Sequence, residues 1–319
     1  MSASTAADVA PHLALETAVR RVSEVVRGKE DVARTALTAV LARGHLLLED
    51  VPGVGKTSLA RALARVVGGR FSRIQLTADL LPVDIVGGRV LDAESGGVRF
   101  REGPIFANVV LADELNRATP RTQSGLLEAM AERAVSVDGT THALPSPFFV
   151  IATQNPSEHH GTYALPQSQM DRFLFRTAMG YPDADIEHDL LVSGGRAAPP
   201  LEHIEPVLEP ALLTRLWTAV DEVELAPEVA RYLQAVVAAT RTAGEVETGV
   251  STRGLLQYAQ AARARALLEG RAYVSPDDVH ALAVPVCAHR LVLRGGGGGA
   301  RAEVETLVES LLERVPAPS

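Results

Sequence analysis

The stretch 49-EDVPGVGKTSLARALA-64 decides the fold. The run that leads into it, HLLLED at 45–50, is short and almost continuously apolar, as expected of a strand buried on both faces of a parallel sheet. A helical pattern follows from about Lys56. Strand, glycine-bearing turn and helix, in that order, is the context in which G-x-x-x-x-G-K-[ST] holds phosphate. Loop N–H groups and the helix N-terminus face the phosphate oxygens, the lysine reaches the outer phosphates and the hydroxyl ligates Mg²⁺. Asp50 stands where that pattern begins with glycine. Pro52-Gly53 still gives a tight turn, and Gly53 and Gly55 allow close backbone approach. A turn that merely spells GKT is the alternative, so other residues must decide.

Composition narrows the field. The 319 residues suit about two domains, and 46% hydrophobic residues are enough for a sizeable core. No apolar run approaches the ~18 residues that cross a bilayer. The opening MSASTAADVAP lacks a basic region before an apolar stretch, so no secretory signal and a cytoplasmic location are expected. The single cysteine, Cys287, lies in an apolar stretch and reads as a buried structural thiol in a reducing compartment. A net charge of -8 argues against broad binding of phosphate backbones. Of 31 basic side chains only Lys29 and Lys56 are lysines. Lys56 is therefore poorly explained by composition and well explained by a phosphate cradle, which suits a compact ammonium.

Along the chain, residues 12–43 read as two helices separated by GKED, with Val22, Val25 and Val26 on one apolar face and Val32, Ala36 and Val40 on another. Further buried strands are expected at FSRIQL (71–76), ANVVLAD (107–113), PFFVIAT (147–153) and FLFRTAM (173–179), with a helix over 119–133. Alternating strands and helices mean a doubly wound α/β domain. After Gly180-Tyr181-Pro182 the pattern turns helical. Examples are Leu213, Leu216, Trp217 and Val220, then Val229, Tyr232, Leu233, Val236 and Val237. SPDD at 275–278 reads as a helix start, and Pro285 should end or kink that helix. GGGGG (295–299) reads as a flexible connector before a last helix carrying Val304, Leu307, Val308, Leu311 and Leu312. The expected organisation is a disordered tail at 1–11, an α/β nucleotide-binding domain at 12–180 and a helical domain at 181–319.

The second strand-end motif strengthens the phosphate reading. ANVVLADELNRA ends a buried strand in Asp113-Glu114, fifty-seven residues after Lys56. That fits one carboxylate that holds Mg²⁺ and a neighbour that orients and deprotonates the attacking water. PFFVIATQNP ends near Asn155, whose amide can bond both the γ-phosphate and that water. Arg172, in LPQSQMDRFLF, and Arg253, in GVSTRGLLQYAQAA, are candidate cations for the charge that develops in phosphoryl transfer. Each of these residues alone also fits a solvated surface position. His159-His160 lacks metal-ligand spacing and reads as a solvated loop.

VPGVGKT, LADELNRA, ATQNP, DRF and STRG resemble, in order, the Walker A, Walker B, sensor 1, arginine finger and sensor 2 of AAA+ ATPases. RIQLTADLLPVDIVGG, REGPIF, ADELNRATPRTQSGLLEAMAER, ATQNPSEHHGTYALPQSQMDRFLF and SPDDVHALAVPVCAHRL are similar, more narrowly, to the MoxR subfamily, over residues 14 to 312. The resemblance implies a P-loop NTPase domain with a parallel central sheet and an all-helical lid. ATP would be bound and hydrolysed with Mg²⁺, and nucleotide would lie between the two domains. Pro52, Gly53, Val54, Gly55, Lys56, Thr57, Ser58 and Asp113 would bind it, Thr57 and Asp113 would hold the metal, and Glu114, Asn155, Arg172 and Arg253 would be catalytic. Arg172 would reach a neighbouring subunit's site and Arg253 the γ-phosphate of its own. Gln75 would restrain Glu114, and Val26 to Gly28 would lie beside the adenine. An acidic residue is familiar in that family at the position of Asp50. His160, Gln167 and Thr252 depart from the family pattern without removing a catalytic group.

The same resemblance implies a homo-hexameric ring with a chaperone role in assembling or activating a protein complex or inserting a metal cofactor. A von Willebrand factor A domain protein would be its partner. VGGRVLDAESGGVRFREGPI and AVSVDGTTHAL are expected to form hairpins on one face, the second around Asp138-Gly139. Neither carries the aromatic-apolar-glycine triplet of threading unfoldases, which favours remodelling by contact. A DNA-acting motor of the same superfamily and the ATPase subunit of a metal chelatase are the alternatives. The acidic balance and the lack of aromatics among basic residues disfavour nucleic acid. A non-hydrolysing scaffold is disfavoured by Glu114 and Arg172.

Overall fold

Five short strands pair into one parallel sheet that sets the site. The computed structural model describes residues 11–91, 97–155, 161–194, 201–295 and 301–318. The elements begin with α1 (Pro11–Val25), α2 (Glu30–Leu41), β1 (Leu46–Glu49), α3 (Lys56–Val66), β2 (Phe71–Gln75), α4 (Pro82–Val86), β3 (Gly87–Leu91), β4 (Val98–Glu102) and β5 (Val109–Asp113). Next are α5 (Pro120–Glu132), β6 (Ala134–Val137), β7 (Thr140–Ala143), β8 (Phe149–Gln154), α6 (Gln167–Met170) and β9 (Phe175–Thr177). The chain then runs through α7 (Ala184–Val192), α8 (Pro210–Glu222), α9 (Pro227–Thr242), β10 (Val246–Thr248), α10 (Thr252–Leu268), α11 (Pro276–Cys287), β11 (Val292–Leu293) and α12 (Arg301–Glu313).

The sheet order is β2-β5-β8-β1-β9, every neighbour parallel. The three inner strands β5, β8 and β1 are almost wholly buried because both faces are covered, successive side chains pointing to opposite sides, whereas the edge strands β2 and β9 carry polar residues. Leu46, Leu48, Val109, Leu111, Phe149 and Ile151 join a cluster with α1, α2 and α3. Leu47, Val110, Ala112, Val150 and Ala152 join another with Leu126, Leu127 and Met130 of α5. The first cluster continues through Leu213, Leu216 and Val220 of α8 into α9–α12. No helix among the described residues is long and apolar enough to cross a membrane.

The two hairpins form as read from the sequence. β3 pairs antiparallel with β4, and β6 with β7, the latter turning at Asp138-Gly139 with φ of 49° and 78°. The rings of Phe100 on β4 and His142 on β7 stack with centroids 3.8 Å apart, so the hairpins lie side by side. Pro285 falls inside α11, which ends at Cys287, and the Asp278 carboxylate accepts from the Ser275 N–H at 2.9 Å. Cys287 is fully buried, and burial pushes its thiol up to about 12. The His159-His160 pair, most of the glycine run and the tip of the first hairpin lie outside the described residues.

His45, at the entry to β1, is buried with Nδ1 accepting from the Val150 N–H at 3.1 Å and Nε2 near the Met130 carbonyl at 3.2 Å. Burial lowers its pKa from 6.5 to about 4. The fold keeps the ring neutral while the unfolded chain takes up a proton. Stability from this group is therefore present above pH 6.5 and is lost as pH falls from 6.5 to about 4. The full loss is on the order of 3 kcal/mol. Thermal melts of wild type and His45→Gln at pH 7.5 and 4.5 are expected to show the steeper loss in wild type.

Candidate active site

Register brings the ends of three strands to one edge. Leu48 pairs with Thr153, Glu49 with Gln154 and Gln75 with Asp113, so the loop after β1, the acids at the end of β5 and Asn155 after β8 leave the sheet together. This is the carboxyl-end crevice where open α/β sheets bind ligands. The loop turns through Gly53 and Gly55, with φ of 88° and 98°, conformations that strain any residue with a Cβ. Gly55 caps α3 and directs its N-terminus into the crevice. The Lys56 ammonium lies along the loop and donates to the carbonyls of Asp50 and Val51 at 3.0 and 3.2 Å. Pro52, Gly53, Gly55, Lys56, Thr57, Arg73, Asp113, Glu114, Thr153 and Asn155 line one cavity of about 220 Å³. Lys56, Thr57, Asp113, Glu114 and Asn155, scattered over a hundred residues of sequence, thus meet at a single cleft.

Asp113 and Glu114 have different surroundings. Asp113 takes the Thr153 hydroxyl on Oδ1 at 2.6 Å and the Arg73 guanidinium on Oδ2 at 2.6 Å. Glu114 adopts the left-handed backbone region, φ 58°, and its N–H donates to the Thr153 hydroxyl at 2.9 Å. The hydroxyl of Thr153 thus fixes both acids. The Glu114 carboxylate pairs with Arg117, one 3-10 turn later, at 3.0 Å. This corrects the expectation for Gln75, whose amide oxygen accepts from Arg73 at 3.0 Å. Arg73, on β2, engages Gln75 of its own strand together with Asp113 of the neighbouring β5, so the restraint on Glu114 comes from its own turn. Asp113 and Thr57 are hard oxygen donors on the same cavity, a set that fits Mg²⁺.

A second cavity of about 150 Å³ adjoins the loop. Val25, Val26, Arg27, Lys29, Gly53, Val54, Gly55, Ser58, Met179, Pro182, Ile186 and Leu190 line it. Its apolar walls come from α1, the turn after it, and α7, which begins the helical part of the chain. Gly28 is required here, since a Cβ would fall 2.3 Å from Cδ1 of Ile186 and φ is +71°. Val54 and Ser58 thus face this cavity and the remaining loop residues the first or both.

Arg172 and Arg253 belong to neither cavity. Arg172 follows α6 and donates to the Leu127 carbonyl. Arg253 is exposed in the first turn of α10. The cap residue of that helix, Ser251, donates its hydroxyl to Asp171 at 2.9 Å, which brings the start of α10 beside Arg172. Arg253 thus lines neither cavity of its own chain. Asp171 also pairs with the buried Arg290 at 2.8 Å, and Arg290 donates to the Phe173 carbonyl at 2.7 Å.

Comparison with known proteins accords with this geometry. The profile of the ATPase family associated with various cellular activities (AAA) matches residues 45–175, and that of the AAA lid domain matches residues 238–311. Chaperone MoxR1 of Mycobacterium tuberculosis is 40% identical, over 95% of this chain and 82% of its own length. The chain belongs to the MoxR family of AAA+ ATPases. The uncharacterized protein YeaC of Bacillus subtilis is 45% identical over 96% of both chains. A crystal structure of a protein assigned as an ATPase from Cytophaga hutchinsonii superposes with a TM-score of 0.87 at 31% identity, covering 97% of this chain and 96% of that one.

This MoxR chain is an ATPase with a nucleotide-binding AAA+ fold. Its site contains residues that the motif reading passes over. Arg73, Thr153, Arg117 and Arg290 hold Asp113, Glu114 and Asp171 in place. A signal existed for Arg73, an arginine inside a strand otherwise read as buried and adjacent to the acid-bearing strand. Nothing in the sequence separates Arg290 from an ordinary surface arginine.

Proposed function

We propose that this MoxR ATPase binds ATP with Mg²⁺ in the two adjoining cavities and hydrolyses it at a site shared between neighbouring copies, using the cycle to remodel a partner protein complex. The observation that carries the reading is the separation of parts. Loop, acids and Asn155 line one cavity, while Arg172 and Arg253 lie outside it, on segments joined by the Ser251–Asp171 bond. Arginines so placed suit a neighbour's nucleotide in a closed ring, here a homo-hexamer.

Pro52 to Ser58 would receive the phosphates on loop N–H groups, the α3 N-terminus and the Lys56 ammonium. The purine would rest on Val25 and Val26. Asp113 and Thr57 would hold Mg²⁺, which neutralises charge on the β- and γ-phosphates when bound. Glu114 takes a proton from the attacking water, and Asn155 orients that water against the γ-phosphate. Arg172 and Arg253 of the adjacent copy stabilise the charge that develops on the transferred group. Residues 12–180 would then move against the helical lid at 181–319.

The name of the M. tuberculosis relative supports a chaperone role. The remodelled partner would be a complex that this ATPase assembles, activates or supplies with a metal cofactor, with a von Willebrand factor A domain protein alongside. The paired hairpins, exposing Leu91 and Val98, offer the contact surface. Deleting residues 90–100 is expected to abolish partner remodelling and to leave basal ATP hydrolysis within about two-fold, since Arg89 and Arg101 sit outside both cavities. Phosphate release assayed with and without the partner checks this. Loss of basal hydrolysis would contradict it.

A further inference from the structure

Asp50 occupies the position at which the phosphate-loop pattern has its first glycine, and the structure gives its side chain a use. It is buried at 6% exposure, and its carboxylate forms no ion pair among the described residues. Its carboxylate is satisfied by backbone donors. Oδ1 accepts from the Val51 N–H at 3.0 Å, and Oδ2 accepts from the Gly180 N–H at 2.9 Å and from the Met179 N–H. The Asp50 N–H extends the β1–β8 pairing to the Gln154 carbonyl, and its carbonyl receives the Lys56 ammonium. One residue thus joins the sheet, the phosphate-binding lysine and residues 179–180.

Residues 179–180 lie where the sheet gives way to the helical part of the chain. β9 ends at Thr177, Gly180 turns with φ +64°, and α7 begins the helical part at Ala184. Lys29, the other lysine, donates to the Tyr181 carbonyl at 2.7 Å. Met179 lines the adenine-side cavity, and its Cε lies 3.6 Å from where a Cβ on Gly55 would be. A glycine at 50 would leave the buried Met179 N–H without its acceptor, a loss that matters in a site shielded from water.

We propose that Asp50 is a positioning residue that latches the nucleotide loop to residues 179–180, so that a change in the loop on nucleotide binding is passed to the helical lid. The proposal rests on nucleotide occupying this loop. The chain carries its own reporter. Trp217, the single tryptophan, lies on α8, donates from Nε1 to the Val40 carbonyl of α2 at 3.1 Å and has the Arg43 guanidinium 5.6 Å over its ring. Its emission therefore follows the docking of α8 on α2.

The test compares wild type, Asp50→Gly and Asp50→Asn for affinity toward a fluorescent ADP, for the change in Trp217 emission when unlabelled ADP is added, and for kcat and KM of ATP hydrolysis. Glycine is the ordinary residue of such loops, so Asp50→Gly is expected to fold and to bind ADP within about three-fold of wild type. It is expected to lose most of the Trp217 response and about ten-fold in kcat, with KM little changed. Asp50→Asn, whose amide oxygen still accepts from residues 179–180, is expected to regain at least half of both. A full Trp217 response and wild-type kcat in Asp50→Gly overturn the latch, as does a wild type that binds ADP without any response. A wild type that fails to bind ADP overturns the reading of the site and the latch with it. Should Asp50→Gly not fold, Asp50→Asn decides, since a folded Asp50→Asn without the response overturns an acceptor latch.

Discussion

Replacing Glu114 by glutamine is expected to lower ATP hydrolysis by about 10²- to 10⁴-fold, the range for a lost general base, while ATP stays bound. Glutamine keeps the length and shape of the side chain but cannot take the proton of the attacking water. The groups that would hold nucleotide, Lys56, Thr57 and Asp113, are untouched, and Asp113 keeps its bonds to Thr153 and Arg73. The fold tolerates the change, because the pair that Glu114 makes with Arg117 is 31% and 43% exposed on its two side chains and such pairs contribute little. Phosphate release and equilibrium binding of a fluorescent ATP measure the two halves of the expectation. A wild-type rate would remove Glu114 from the chemistry.

The second large effect concerns Arg172. Its alanine variant is expected to lose about 10³-fold or more in hydrolysis, as arginines donated across a subunit boundary do. ATP affinity should change only a few-fold, because Arg172 lies outside both cavities of its own chain. Among the described residues the guanidinium donates to the Leu127 carbonyl and its buried Nε has no partner, so its forked donors are not used up by the fold there. Arg172→Lys should rescue poorly, since a point charge does not reproduce a planar fork.

The fold was legible because the inner strands announce themselves by burial on both faces. HLLLED, ANVVLAD and PFFVIAT cannot sit anywhere but inside a covered sheet, and the helical run after Pro182 could not be mistaken for more of it. The phosphate loop and the Asp113-Glu114 pair were legible for a similar reason, since their spacing places them at neighbouring strand ends. What stayed hidden depends on long-range register. Arg73 meets Asp113 only because β2 lies beside β5, and Asp50 meets Met179 and Gly180 only across about 130 residues of chain. The start of α10, which carries Arg253, meets the segment that carries Arg172 through the Ser251–Asp171 bond, which no local pattern encodes. Gln75 was assigned to Glu114 on motif order alone, whereas a turn of four residues supplies Arg117 instead.

The shared site is tested most directly by mixing two inactive proteins, Glu114→Gln and Arg172→Ala, and measuring ATP hydrolysis. Each supplies what the other lacks only if acid and arginine of one site come from different copies. At equal amounts with random assembly, about a quarter of the boundaries between copies regain both groups, and activity is expected to appear in that proportion. A mixture as inactive as its parts, or Arg172→Ala hydrolysing ATP at the wild-type rate on its own, would contradict a site built between neighbours.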